Sequence, residues 1–200
     1  MTRRDDQREA TRQRLAQVAA ELLVAGGGTP PSTVAVQRVA DVSRGALLHH
    51  FPTRAQMLRA AVATLRAGNA TAVKEALEEA KGTEPIERAV HALATSASRP
   101  EMSAEYGLWA AARVDTDLHE VLRAEERGAR DSLHAVVGAA FGPDLVAHPA
   151  YPRVAALTIQ FLRGLAITQA LRDPQAHVDA LVHDWTKVVH LMLADPTFSR

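Results

Sequence analysis

The chain contains no cysteine, which removes disulfides, thiolate metal ligands and cysteine nucleophiles together. Aromatic residues make up only 4% of its 200 positions, so a broad aromatic cage for a cationic ligand is not expected. No apolar run approaches the roughly 18 residues of a membrane span. The first residues, MTRRDDQR, also lack the apolar centre of a secretory signal, so no membrane partner and a cytoplasmic location are expected. Nothing repeats at a solenoid period. No Gly-x-Ser-x-Gly elbow and no His-Glu-x-x-His occur. The run Gly26-Gly27-Gly28 leads into Thr29-Pro30-Pro31 and lacks the Lys-Ser/Thr of a phosphate-binding loop. No catalytic residue and no cofactor are assigned.

Net charge is also absent: Lys and Arg balance Asp and Glu at 23 each. The balance hides a division. Residues 1–66 carry ten Arg against five Asp and Glu, whereas residues 67–200 carry thirteen Lys and Arg against eighteen acids. A basic end on an acidic body fits a nucleic-acid-binding head joined to a part that faces something else. A solvated charge bias is the alternative.

Two short helical patterns stand close together inside the basic end. The first spans Val34 to Ala40, with Val36, Val39 and Ala40 three and four apart. The second spans Arg44 to His50, with Leu47 and Phe51 four apart on one face. Asp41-Val42-Ser43 separates them, and Ser43 can cap the second helix by accepting from its free N–H groups. Pro52 closes that helix, and Thr53 is placed to cap the next. Two helices on so short a turn read as a helix-turn-helix. At about 100° per residue, turning Leu47 and Phe51 inward leaves Gly45 and His49 facing outward. Ala46 and Leu48 then flank them, with Arg44 and His50 nearer the boundary. The outward surface is small in its first turn, which suits entry into a major groove about 12 Å wide. An ordinary helical hairpin with a polar face has the same spacing.

The run VSRGALLHHFPTRAQML resembles the N-terminal signature of the TetR/AcrR family of transcriptional repressors. The likeness covers about the first 60 residues; beyond them only architecture and a few segments agree. It implies an all-α fold with an N-terminal three-helix DNA-binding domain and a C-terminal helical ligand-binding and dimerisation domain, about nine helices in all. It also implies operator DNA contacts from Thr33, Ser43, Arg44, Gly45, Ala46, Leu48, His49, His50, Thr53 and Arg54. Of these, Arg54 matches the family's phosphate-contacting Lys or Arg. Arg44 has the fork that matches guanine O6 and N7. Four positions depart from the family pattern. Asp41 stands at a turn usually held by Gly, Leu48 replaces a frequent Tyr, Val34 replaces a frequent Arg, and Gln37 replaces a small Ala.

The remaining chain reads as helices with short breaks, dividing into 1–52 and 53–200. Residues 1–8 are expected to fray, with a first helix from about Gln7 to Ala25 braced by Leu15, Val18, Ala19, Leu22 and Leu23. Ser32 or Thr33 caps the second. A fourth helix from Thr53 to about Lys81 links the two parts. Further helices follow at about 85–98, 101–112 and 117–141, then a loop to Pro149. The last two helices run from Pro152 to about Leu171 and from Pro174 to about Ala194. The former is apolar almost all round, through Val154, Leu157, Ile159, Phe161, Leu162, Leu165 and Ile167, and a helix apolar on all sides is buried on all sides. Burial by a second subunit, the homodimer that the resemblance implies, competes with burial inside one subunit.

Residues 53–200 are also where the resemblance implies a pocket for a small-molecule effector. Met102, Tyr106, Trp109 and Phe161 are the large lining candidates, and Arg113, His134, Gln160 and Thr168 the orienting polar ones. Asp131/His134, Asp179/His183 and Asp115/His119 stand three or four apart, but none has the second half of a Glu-x-x-His pair, and no metal site is assigned. The function expected is a ligand-responsive regulator, a repressor released from a near-palindromic operator. The alternative is a helical small-molecule or metal-binding protein whose head no longer binds DNA.

Overall fold

A computed structural model of the chain describes residues 3–80, 84–169 and 175–199. The described residues hold ten α-helices and no strand, as an all-α chain should. They are α1 Arg3–Ala25, α2 Thr33–Ala40, α3 Arg44–His50, α4 Arg54–Glu79 and α5 Pro85–Ala97, then α6 Pro100–Ala111, α7 Thr116–Phe141, α8 Pro143–Val146, α9 Tyr151–Gln169 and α10 Gln175–Ala194. A 3-10 turn, Pro196–Ser199, closes the chain. Two expectations need correction. The N-terminal residues do not fray up to Arg8: α1 already starts at Arg3, with Asp5 and Asp6 in its first turn, where acidic groups suit the positive end of the helix. The loop between Gly142 and Pro149 contains α8, with Pro143 at its first position, the helical site that proline tolerates best. That extra turn raises the count from about nine to ten. The expected helix ends at Lys81, Leu171 and Pro174 fall outside the described residues.

The chain packs as two units. One comprises residues up to Gly68 together with Ser103–Glu126; the other comprises Asn69–Met102 and the residues from Arg127 onward. Helix α4 therefore contributes its first half to one unit and its second half to the other. Packing divides the chain later than the motif does, and the reason is core size. A head of some 50 residues buries little apolar area by itself. In the first unit Leu15, Leu23, Val36, Leu47, Phe51, Met57 and Leu58 are all but fully buried, and they share that core with Leu108 of α6 and Leu118 of α7. The helix-one stripe is rotated slightly from the expected one: Ala16 and Ala20 join Leu15, Ala19 and Leu23 in the core, while Val18 and Leu22 are half-buried.

The glycine run has a second use besides ending α1. A Cβ on Gly107 of α6 would lie 2.1 Å from the Gly27 carbonyl oxygen, and one on Gly28 would lie 2.5 Å from the Ala104 carbonyl oxygen. The two backbones touch, and only glycine permits that distance.

The second unit is built on Val90 and Leu93 of α5, Val137 of α7, Val154, Ile159, Leu162 and Leu165 of α9, and Val182, Val189 and Met192 of α10. Its fully buried Thr158 accepts a hydrogen bond from the Trp185 indole N–H at 3.2 Å. Phe161 stacks on the same indole, 5.1 Å between ring centres and 10° from parallel.

Gly107→Ala is expected to cost about 1–3 kcal/mol, because backbone must shift to admit the methyl group. Gly68→Ala, in the exposed middle of α4 with open space around it, should instead gain about 0.5–1 kcal/mol from helix propensity. Urea unfolding of the two variants separates them. Equal effects would mean that the α6 contact imposes no constraint.

Candidate nucleic-acid interface

Three hydroxyl caps set the frame of the head. Ser32 Oγ accepts from Ala35 N–H at 3.1 Å, Ser43 Oγ from Ala46 N–H at 3.1 Å, and Thr53 Oγ1 from Gln56 N–H at 3.2 Å. Each satisfies a donor that the helix itself cannot use. Of the two capping candidates for α2, Ser32 takes the role and Thr33 becomes the first helical residue. Between α2 and α3, Asp41 adopts the left-handed conformation at φ 51° and ψ 55°, and it is the one non-glycine residue with positive φ among those described. The following Val42 N–H returns to the Gln37 carbonyl at 3.2 Å, closing a Schellman-type cap. Asp is among the side chains that tolerate this conformation, but it does so less readily than Gly.

Helix α3 presents the face derived from its sequence. Leu47 and Phe51 are 1% and 0% exposed; Arg44, Gly45, Leu48 and His49 are exposed, and Ala46 is half-buried. A Cβ at Gly45 would meet nothing nearer than Ser43 Oγ at 3.9 Å, so the first turn of α3 is bare. Two arginines of α1 hold the motif from behind, one at the end of α3 and one at the end of α2. Arg12 donates to the His50 carbonyl at 2.7 Å with its guanidinium 4.5 Å from the Phe51 ring centre, and Arg14 donates to the Ala40 carbonyl. Sequence reading left both out, although Arg12 lies one turn before Leu15 and Ala16 on the same buried stripe.

His50 is half-buried, its ring 5.3 Å from that of His49. Burial first, then neighbouring His49, Arg8 and Arg12, hold its pKa below the ordinary histidine value. That shift favours the uncharged imidazole over a phosphate-binding cation.

Arg54 has another partner than the one the resemblance implies. Its two terminal nitrogens donate to Asp115 at 2.7 and 3.1 Å, and one also reaches Asp117 at 3.4 Å. The hydrogen bond to Arg54 comes first in holding the Asp115 carboxyl below the usual range. Two further α4 arginines are tied in the same manner, Arg66 to Glu105 at 3.0 Å and Arg59 to Glu125 at 3.2 Å. These acids come from α6, α7 and the turn between them. With residues 103–126 counted in, the first unit carries twelve arginines against eleven acids, so its basic character is local to α1–α3 rather than general.

No family model matches the sequence, and no curated protein matches it at the sequence level. Solved structures do match. A transcriptional regulator from Rhodococcus sp. Rha1 superposes with a TM-score of 0.61, covering 92% of this chain and 96% of its own, at 23% identity. GusR of Salmonella enterica superposes with a TM-score of 0.62, covering 93% and 96%, at 17% identity. The chain has the fold of these regulators.

The expected effector residues are distributed over that fold. In the first unit Tyr106 is half-buried while Trp109 and Arg113 are exposed. Ala104 and Leu108 take the inward positions of α6, which turns Trp109 outward. In the second unit His134 and Gln160 are exposed, the latter accepting from Arg163 at 3.4 Å. Met102 and Phe161 are half-buried. Phe161 lies on Trp185, and the Met102 sulfur accepts from the Asn69 amide at 3.2 Å. The side chain of Thr168 lies outside the described residues. Asn69, Thr158 and Trp185 are among the polar and aromatic groups of that unit that sequence reading missed. A single Asn or Thr on a helix carries no signal of burial, so only the packing reveals them.

Asp41→Gly should stabilise the protein by about 1 kcal/mol by removing the left-handed strain, raising Tm by about 2–4 °C. A Tm at or below that of the parent would mean that the Asp41 side chain contributes more than its backbone conformation costs.

Proposed function

We propose that the chain is a DNA-binding transcriptional regulator of the TetR/AcrR family, a cytoplasmic homodimer that holds a near-palindromic operator and releases it when a small molecule binds. Residues 1–52 bind DNA, with Thr53 and Arg54 at the junction, and the rest of 53–200 binds the effector and the second subunit. The observation that carries this reading is the face of α3: buried Leu47 and Phe51 behind, bare Gly45 and small Ala46 at the first turn, and Arg44 and His49 outward. A helix so presented can lie deep in a major groove and bring Arg44 to base edges. Thr33, Thr53 and His49 are the phosphate candidates. Arg54 joins them only by giving up Asp115.

Dimerisation is supported by the apolar side chains that α9 and α10 leave in solvent. Leu157 and Ile167 on α9 and Val188 and Leu191 on α10 are 38–68% exposed, and Gly164 between the first two faces open space. Isologous pairing of that surface would give a two-fold dimer and hence two half-sites spaced by whole DNA turns. Because α4, like α6 and α7, runs through both packing units, it can carry an effector's bias to the head. Linkage then requires DNA to weaken effector binding by the same factor.

Fluorescence anisotropy with duplex from upstream of the chain's own gene, against random duplex of equal length, tests the reading. A specific complex whose log affinity falls linearly with log salt is expected, and Arg44→Ala should weaken it by about 1–3 kcal/mol while blurring sequence preference. Absence of binding to either duplex at low salt would overturn the proposal in favour of a helical ligand-binding protein with an idle head. A second variant probes the tie on α4. Asp115→Asn keeps a cap for the Leu118 N–H, which Asp115 now accepts at 3.0 Å, but it removes the nearer of the two charges facing Arg54. The salt slope should steepen by about 0.9, the contribution of one added phosphate contact. An unchanged slope would make Arg54 a purely structural tie.

A further inference from the structure

Leu48 is the anomaly of the exposed α3 face. It is a large apolar side chain, 40% exposed, in a short helix that has already buried Leu47 and packed Phe51 behind it. A single exposed leucine is ordinary on a protein surface; its place here is what matters. Residues four apart on a helix are neighbours, so Leu48 stands one turn beyond Arg44 on the same flank. Between them on the outward side is only Gly45, whose missing side chain leaves nothing to hold the helix away from a surface it approaches. Arg44 and Leu48 are therefore the two long side chains that this flank carries to whatever α3 meets.

The inference rests on the DNA-binding reading above and extends it to sequence preference. Leucine has no donor or acceptor, so it can bond neither a phosphate nor a polar base edge. The major groove offers it one apolar feature, the 5-methyl group of thymine. We infer that Leu48 reads a thymine methyl in each half-site, within about two base pairs of the guanine taken by Arg44. The spacing follows from geometry: one helical turn rises about 5.4 Å, one to two base-pair steps of about 3.4 Å along the duplex. The half-site core is thus a guanine and a thymine read side by side, one by charge and hydrogen bonds and the other by burial of a methyl group.

The test uses the full-length protein and duplexes selected from a randomised library for tight binding. Each thymine of the selected site is replaced in turn by deoxyuridine, which removes the methyl and nothing else, and Kd is measured by anisotropy. One position per half-site should lose about fourfold in affinity, the worth of burying one methyl-sized group, and the two half-sites together about fifteenfold. In Leu48→Ala that thymine–uracil difference should vanish, while preference for the guanine persists. Arg44→Ala should show the reverse pattern. The alanine lies at an exposed helical position, so folding is expected to be intact, and circular dichroism checks it. A selected site indifferent to uracil at every thymine, or an equal loss in the parent and in Leu48→Ala, overturns the role of Leu48 and leaves the DNA-binding reading standing. Failure to select any site overturns both.

Discussion

The burial of Leu47 and Phe51 is the constraint on which the candidate interface depends. Two side chains, 1% and 0% exposed, fix the rotation of a helix only seven residues long. Such a helix has no stability of its own, and it keeps its shape because one face is committed to a core that α1, α4, α6 and α7 help to build. Once that face is fixed, the exposed one follows by helical geometry: Gly45 and His49 out, Arg44 and Leu48 on one flank, Ala46 and His50 on the other. The arginines of α1 strengthen the same arrangement. Arg12 holds the end of α3 by its last carbonyl and covers the Phe51 ring, so a basic residue near the candidate interface serves the scaffold rather than the surface.

Charge has to be read after packing, not before it. By sequence the first 66 residues are strongly basic, and every arginine there is equally available. In the fold, Arg54, Arg59 and Arg66 face Asp115, Glu125 and Glu105. The half-buried pairs at Arg54 and Arg66 are held more firmly than the exposed pair at Arg59, whose contribution is screened by solvent. Net positive charge is thereby concentrated on α1 to α3, where Arg44 is exposed. The tie at Arg54 is bidentate, the geometry that makes an arginine–carboxylate pair specific as well as strong, and it joins the start of α4 to the α6–α7 turn. A phosphate that recruited Arg54 would have to displace a carboxylate first.

What the sequence disclosed and what it withheld divide along chain separation. The helix-turn-helix, the bounds of α3 and the capping roles of Ser43 and Thr53 all rest on signals within a few residues, and each is found in the structure. Met57, Leu58, Ala61, Val62 and Leu65, buried along α4, recur three and four apart, a period that is local too. The Arg54–Asp115 pair joins residues 61 apart, and the Gly27–Gly28 contact with Gly107 joins the first loop to α6. No local pattern encodes such pairings, since each half of the contact looks ordinary until the other half is known. The exposure of Trp109 belongs to the same class: its helix could be turned either way until Ala104 and Leu108 were seen to face inward.

The two last helices carry the same reasoning to the question of a partner. Helix α9 is apolar around most of its circumference, and one side of it is spent on Val154, Ile159, Leu162 and Leu165 in the core of the second unit. The other side leaves Leu157 and Ile167 in solvent, and α10 adds Val188 and Leu191. Burying each of four such side chains is worth roughly 1.5–3 kcal/mol at most, a gain that a lone subunit forgoes. Small residues on the same side, Ala156 and Gly164, remove the steric bar to a closely approaching helix. A second copy of the chain would offer the same apolar and small positions in the same order, and a two-fold axis would let each side bury the other's excess at once. Such pairing would give the apolar part of the solvent side of α9 a role that packing within one subunit does not supply.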